Sequence, residues 1–304
     1  MKRTAVLTAM IALVFAGTAF AQSVYGEMTL TREDGYLLAE TVMPAGNTAW
    51  FAVDLAVATT AVSKAYAGDA QIQKLQSSAD PLSRPRFHSA LGGFGLSAEI
   101  VGKATLGSMK VGGLEFADAS VVVLDDMPAI AGKPIAGVFG TDMLRRAEIA
   151  LFTFGDSPRL MLKSRARINV RDAIECPMNL VQGFVMAAGT LNGQKADFLF
   201  DTGSPVSYIP LKTVRSTGAA ALPGSTREIT TLDGRSVKVR DAEPGAITIG
   251  DAEFEDVPLH IGELPVFGTL PETSVPVLLG NDFFARMQSV QFNFTENSIR
   301  MLAE

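Results

Sequence analysis

The chain has 304 residues, 26 basic against 32 acidic side chains, a net charge of −6 and a single cysteine. An acidic balance of this kind argues against a nucleic-acid partner. Cys176 has no partner for an internal disulfide, so the fold must be held by its apolar core, with Cys176 itself expected as a small buried hydrophobe.

Residues 1–21 read as an address. Lys2 and Arg3 form a basic start, residues 5–15 are apolar, and Ala19-Phe20-Ala21 is a small-x-small cleavage site before Gln22. The apolar run is too short for a stable spanning helix, and no cysteine near the cut offers a lipid attachment point. Export to a bacterial periplasm is expected, with secretion beyond the cell as the alternative. Removal of the address leaves 24 basic against 32 acidic residues. No later segment is long and apolar enough to cross a membrane.

The remaining length suits one large or two ordinary domains. Short runs rich in Val, Ile, Phe and Thr, cut by Gly, Pro, Asn and Asp, predict a mostly β chain; residues 120–124, 237–239 and 289–294 are examples. Helix is expected over 61–76 and around 143–147 and 283–287. An internal repeat organises the strands. Val111-Gly112-Gly113-Leu114-Glu115-Phe116 is echoed 138 residues later by Ile249-Gly250-Asp251-Ala252-Glu253-Phe254. Val138-Phe139-Gly140-Thr141-Asp142-Met143-Leu144 is echoed 140 residues later by Leu278-Leu279-Gly280-Asn281-Asp282-Phe283-Phe284. Similar strand-rich tails follow both. Three matches in one order at nearly one offset predict two copies of one domain. The polar, basic stretch 164–173 between them reads as a linker, giving lobes over 22–163 and 174–304.

The centre of the second copy is 197–210. Phe198, Leu199 and Phe200 read as a buried strand that delivers Asp201 onto a turn containing Thr202, Gly203 and Ser204. Downstream, alternating residues flank Asp233-Gly234, a strong hairpin signal, and Val277-Leu278-Leu279-Gly280 precedes a short helical pattern. Acid-Thr-Gly early, a hairpin in the middle and apolar-apolar-Gly near the end, in that order, resemble the retropepsin-like aspartic peptidases; the resemblance covers 180–304 well and 24–163 more loosely. It implies an all-β fold of two tandem retropepsin-like lobes, and peptide-bond hydrolysis by a water activated between two aspartates that share one proton. It also implies that Asp201 is one catalytic acid, that Thr202 fixes the turn, that Gly203 permits close approach, and that Ser204 donates a hydrogen bond to the carboxylate. A peptide or protein substrate would lie extended under a flap at Asp233 and Gly234. No metal or organic cofactor is required by that chemistry.

The first copy is where the second acid must be sought, and two alignments compete. Matching 51–54 to 198–201 makes Asp54 the partner, places Leu55-Ala56 where Thr-Gly belongs, and needs three extra residues before the shared Val-Ser at 62–63 and 206–207. Matching Asp54 to Asp197 instead needs one deletion, has an offset of 143 nearer the others, and puts Ala58-Thr59-Thr60 in place of Asp-Thr-Gly. The second is preferred. The first lobe has then lost its acid, and the partner carboxylate comes from Asp201 of another chain in a homodimer; a non-catalytic relative that binds extended peptides is the alternative. His88 and His260 have no metal-ligand spacing. The glycine-rich stretch 91–96 reads as a degenerate flap, and Asp142 and Asp282 as caps of helical turns.

Overall fold

The computed structural model describes residues 25–68, 72–74, 86–89, 96–164, 173–230 and 236–304. The expected export address, most of the expected linker, residues 91–95 of the glycine-rich stretch, and Asp233 and Gly234 lie outside the described residues.

Among the described residues the strands form a 14-stranded and a 10-stranded sheet. Helices are single turns, Lys64–Ala67, Thr141–Leu144 and Asn281–Phe284. The expected helix over 61–76 begins instead as the strand Ala61–Ser63, which runs parallel to Leu114–Leu124 and antiparallel to Ile135–Phe139. All three of its residues are buried. A strand covered on both faces gives a continuous apolar run, which periodicity alone does not separate from a helix.

Each half builds the same crossing. In the first, Thr48–Val53 runs parallel to Ile135–Phe139, which also pairs with Ala61–Ser63. In the second, Gln194–Phe200 runs parallel to Pro276–Leu279, which also pairs with Tyr208–Ile209. The chain leaving each acid-bearing strand therefore loops over the end of a glycine-terminated strand. These parallel pairs, set in largely antiparallel sheets, leave both loops at strand C-termini.

The halves are joined by a sheet that takes strands from both. Its order is Ile174–Pro177, Ser298–Ala303, Met287–Asn293, Ile149–Thr153, Arg159–Lys163, Gly26–Glu33. The join is the antiparallel pairing of Ile149–Thr153 with Met287–Asn293, with Leu151 opposite Gln291. Gly26–Glu33 then bends out of this sheet: its first residues pair with Arg159–Lys163 and its last with Tyr36–Val42.

The core is continuous across the join. Phe292 meets Phe152 and Phe200 edge-on at ring-centroid distances of 6.0 and 5.7 Å, and Phe154 stacks on Phe284 at 4.9 Å. Edge-to-face and offset aromatic pairs add about 0.5–1.5 kcal/mol each beyond their buried area. Cys176 sits in the same core, where burial pushes its thiol up to about 11. It is an unreactive hydrophobe there.

Candidate active site

Asp201 follows a strand whose Phe198, Leu199 and Phe200 are fully buried. Its N–H donates to Leu279 O at 2.9 Å, which extends the parallel ladder one residue into the loop. Its Oδ1 accepts the Gly203 N–H at 2.8 Å. The loop closes on Ser207, whose Oγ donates to Asp282 Oδ1 at 2.6 Å and accepts the Gly280 N–H at 3.0 Å. Two expectations change here. The Ser204 hydroxyl donates to Val206 O at 2.7 Å, not to the Asp201 carboxylate; the backbone amides of Gly203 and then Ser204 are what favour the ionised acid. Asp282 does more than serve its own helical turn, where its Oδ1 accepts the Phe283 N–H at 2.8 Å. The N-cap is Gly280, with no side-chain bond, and the Asp282 carboxylate takes both the N–H and the O–H of Ser207, tying loop to turn.

The first half repeats this arrangement around Asp54. The Asp54 N–H donates to Phe139 O at 3.0 Å, and Asp54 Oδ1 accepts the Ala56 N–H at 2.8 Å. Thr60 Oγ1 donates to Asp142 Oδ1 at 2.6 Å and accepts the Gly140 N–H at 2.9 Å. Asp142, like Asp282, accepts the next N–H of its own turn, from Met143 at 2.9 Å, and tethers the loop as well. The counterpart of Ser207 is therefore Thr60, and not Ser63. Thr60 stands six residues after Asp54, as Ser207 stands six after Asp201, so the loops correspond at an offset of 147 with no gap.

The alignment that sets Ala58 against Asp201 is thus corrected. Ala58 lies further round the loop, against the turn at Gly183. The first lobe keeps its acid, and the carboxyl beside Asp201 belongs to the same chain. No second copy is needed to bring two acids together.

The two carboxyls meet at the join. A Cβ at Gly203 would fall 2.3 Å from Asp54 Cγ, so only glycine lets the loops approach this closely. Both aspartates are wholly buried. Burial first, then the negative charge of Asp54, then a side-chain hydrogen bond with Asp54, hold the Asp201 carboxyl well above the usual carboxylate range. Asp201 Oδ2 is buried and makes no other hydrogen bond of ordinary geometry. Two like charges this close and this dry cannot both persist, so the pair retains a proton.

Thr202 locks the loops together. Its hydroxyl crosses to the other lobe, donating to Val53 O at 2.8 Å and accepting the Leu55 N–H at 3.2 Å. Leu55 occupies the matching place in the first loop and has no hydroxyl to return the bond; its side chain joins the main core. The lock is one-sided.

The expected hairpin is seen as Arg227–Thr230 paired with Ser236–Asp241, although Asp233 and Gly234 themselves fall outside the described residues. In the first lobe, Arg86–Ser89 pairs with Leu96–Val111 and reaches the turn Pro265–Thr269 of the second lobe. Two apolar clusters flank the loops: one contains Tyr36, Val57, Met127 and Ile130, the other Ala56, Phe184, Leu264 and Phe267. Across the second hairpin's base, Asp241 Oδ1 lies 2.9 Å from His260 Nδ1 and 2.6 Å from Arg227 Nη1. His260 thus sits in an ion cluster.

Comparisons with known proteins bear on the fold and on the second lobe. The family model described as aspartyl protease matches residues 187–283. No curated protein matches the sequence. Among solved structures, the chain is similar to an aspartic proteinase from Irpex lacteus, with a TM-score of 0.54 and 14% identity over 91% of this chain and 97% of that one. The mostly β, two-lobed fold is that of the pepsin-like aspartic proteinases, and the second lobe carries the sequence resemblance to the aspartyl proteases as well.

Proposed function

We propose that this chain is an aspartic endopeptidase whose two acids, Asp54 and Asp201, both come from one polypeptide. The observation that carries this reading is the approach of the Asp54 carboxyl to Asp201 across Gly203, with both groups buried. Family and fold support aspartic peptidase activity in general.

On this reading the work divides as follows. The pair holds one proton and titrates as a unit. The ionised carboxyl takes a proton from a water while that water's oxygen bonds to the peptide carbonyl carbon. The protonated carboxyl donates to the carbonyl oxygen as it becomes an oxyanion. Collapse of the tetrahedral species breaks the C–N bond, and the leaving nitrogen takes up a proton from the pair. Burial of the carboxyls strengthens each of these electrostatic interactions relative to water. Substrate would lie extended, its backbone paired to the hairpin carrying Asp233 and Gly234 and to the first-lobe hairpin at Arg86–Ser89. Residues 1–21 would direct the protein to the periplasm, where its peptide or protein substrates would be met.

The test is cleavage of a peptide library from acid to neutral pH by the wild type, Asp54→Asn and Asp201→Asn. Loss in both variants, with specific activity constant on dilution, is the expected result. Loss in Asp201→Asn alone would remove Asp54 from the chemistry. One feature favours a second reading, a peptide-binding relative that does not cleave: Leu55-Ala56 stand where Thr-Gly stands in the other loop. That reading predicts no cleavage, with peptide affinity unchanged in both variants.

A further inference from the structure

The acid loops are held from behind by the opposite lobe. The turn of the first hairpin, at Asp34 and Gly35, packs on Pro205, four residues after Asp201; a Cβ at Gly35 would fall 2.7 Å from Pro205 Cβ. The equivalent turn at Gln182 and Gly183 packs on Ala58, four residues after Asp54, with a corresponding distance of 2.6 Å. Each glycine has φ well into the left-handed region, +84° and +91°. Each lobe therefore presses a tight turn against the other lobe's acid loop.

On one side this contact is also tied by a side chain. Asn281, 2% exposed, donates from Nδ2 to Gly35 O and to Thr202 O, both at 2.8 Å. One amide thus joins the first-lobe turn to the carbonyl beside Asp201. Its Oδ1 is buried with no partner. Leaving a buried acceptor unpaired is unfavourable, so what the side chain contributes here is its two donated bonds. The residue 140 positions earlier is Thr141, whose single hydroxyl donates to Leu55 O at 2.9 Å. It ties its own loop and spans no lobe boundary.

We propose that Asn281 is a positioning residue that sets the separation of the Asp54 and Asp201 carboxyls by fixing the first-lobe turn to the Asp201 loop. This rests on the endopeptidase reading for its kinetic consequence but not for its geometry. The number of donors at position 281 is the controlling quantity. Asn281→Thr keeps one donor, as at position 141; Asn281→Ala keeps none; Asn281→Asp keeps the shape but turns a carboxylate toward two carbonyls.

The experiment has two arms, both on the full chain. In the first, cleavage is followed against pH. The expected order of kcat is wild type, then Thr, then Ala, then Asp, falling about 10- to 100-fold overall, with KM changed less than about threefold and the alkaline limb of the profile moved to lower pH as the carboxyls separate. In the second, urea unfolding of Asp54→Asn, Asp201→Asn and the double variant measures coupling between the acids, in the wild-type and Asn281→Thr backgrounds. The coupling should shrink with Thr at 281. An unchanged pH profile together with unchanged coupling would overturn the proposal, leaving Asn281 a purely structural residue. A wild type that cleaves nothing would sink the endopeptidase reading while the unfolding arm still judged Asn281.

Discussion

Thr202→Val is the sharpest probe of how the lobes are locked. The change is nearly isosteric and removes only the hydroxyl, leaving the buried Val53 carbonyl and Leu55 N–H without their partner. Leu55 is wholly buried, so its N–H has no access to solvent. Each orphaned group costs about 1–3 kcal/mol, and the methyl that replaces the hydroxyl returns about 0.8 kcal/mol. A net loss of about 1–5 kcal/mol follows, centred on about 3. Because no hydroxyl at position 55 offers a second bond, the loss has no backup within the lock. Thr202→Ser keeps both hydrogen bonds and should lose only about 1 kcal/mol, for one buried methyl. Urea unfolding monitored by circular dichroism measures both, read as a change in midpoint at constant slope. Equal stability of the Val and Ser variants would refute the one-sided lock.

Other perturbations follow from the same geometry. Gly203→Ala forces a methyl into the Asp54 carboxyl, and peptide cleavage should fall at least about 100-fold, since displacement of the acids by about 1 Å is enough for that loss; activity near that of the wild type would show that the carboxyls are not in contact. Asp201→Asn should lower kcat by about 100- to 10,000-fold. The same variant should change stability with pH. A carboxyl whose folded pKa is raised binds more protons folded than unfolded, so its presence costs nothing below the unfolded value of 3.8 and destabilises increasingly as pH rises above it. Asp201→Asn should therefore be neutral near pH 3 and stabilising at pH 7 in thermal melts; stabilisation that grew toward acid would reverse the sign. Asp282→Ala orphans the Ser207 hydroxyl and amide and should cost about 2–4 kcal/mol; tolerance of the change in urea would mean that the tether contributes little.

Much of this site is legible in the chain. The strand into Asp201, the following Thr-Gly and the distant apolar-apolar-Gly segment lie at recognisable positions because buried parallel strands need unbroken apolar runs and the turn needs a small residue. The partner acid is concealed by a different cause. The identical words at 62–63 and 206–207 draw the alignment, yet what the fold matches is a hydroxyl six residues past the acid, Thr60 with Ser207. Hydrogen-bond function is kept there while identity is not. At Asp142 and Asp282 the local half of the role is legible, an acid accepting an amide of its own turn, but only the crossing of the chain brings a distant hydroxyl to it. Asn281 carries no local signal, since both its partners are backbone carbonyls, one of them in the opposite lobe.

The shared sheet governs how the chain can come to its fold. Ile149–Thr153 closes the first lobe by pairing with Met287–Asn293, nearly 140 residues further along. A polypeptide that emerges N-terminus first therefore holds a nearly complete first lobe with one apolar strand edge open until that late segment arrives. Such an edge is a template for wrong pairing, and contacts this distant in sequence form slowly. The first lobe can be built early but not sealed, and during that interval the risk is aggregation through Ile149–Thr153. A fragment that ends before Met287 should form sheet and precipitate, whatever the quality of its own core.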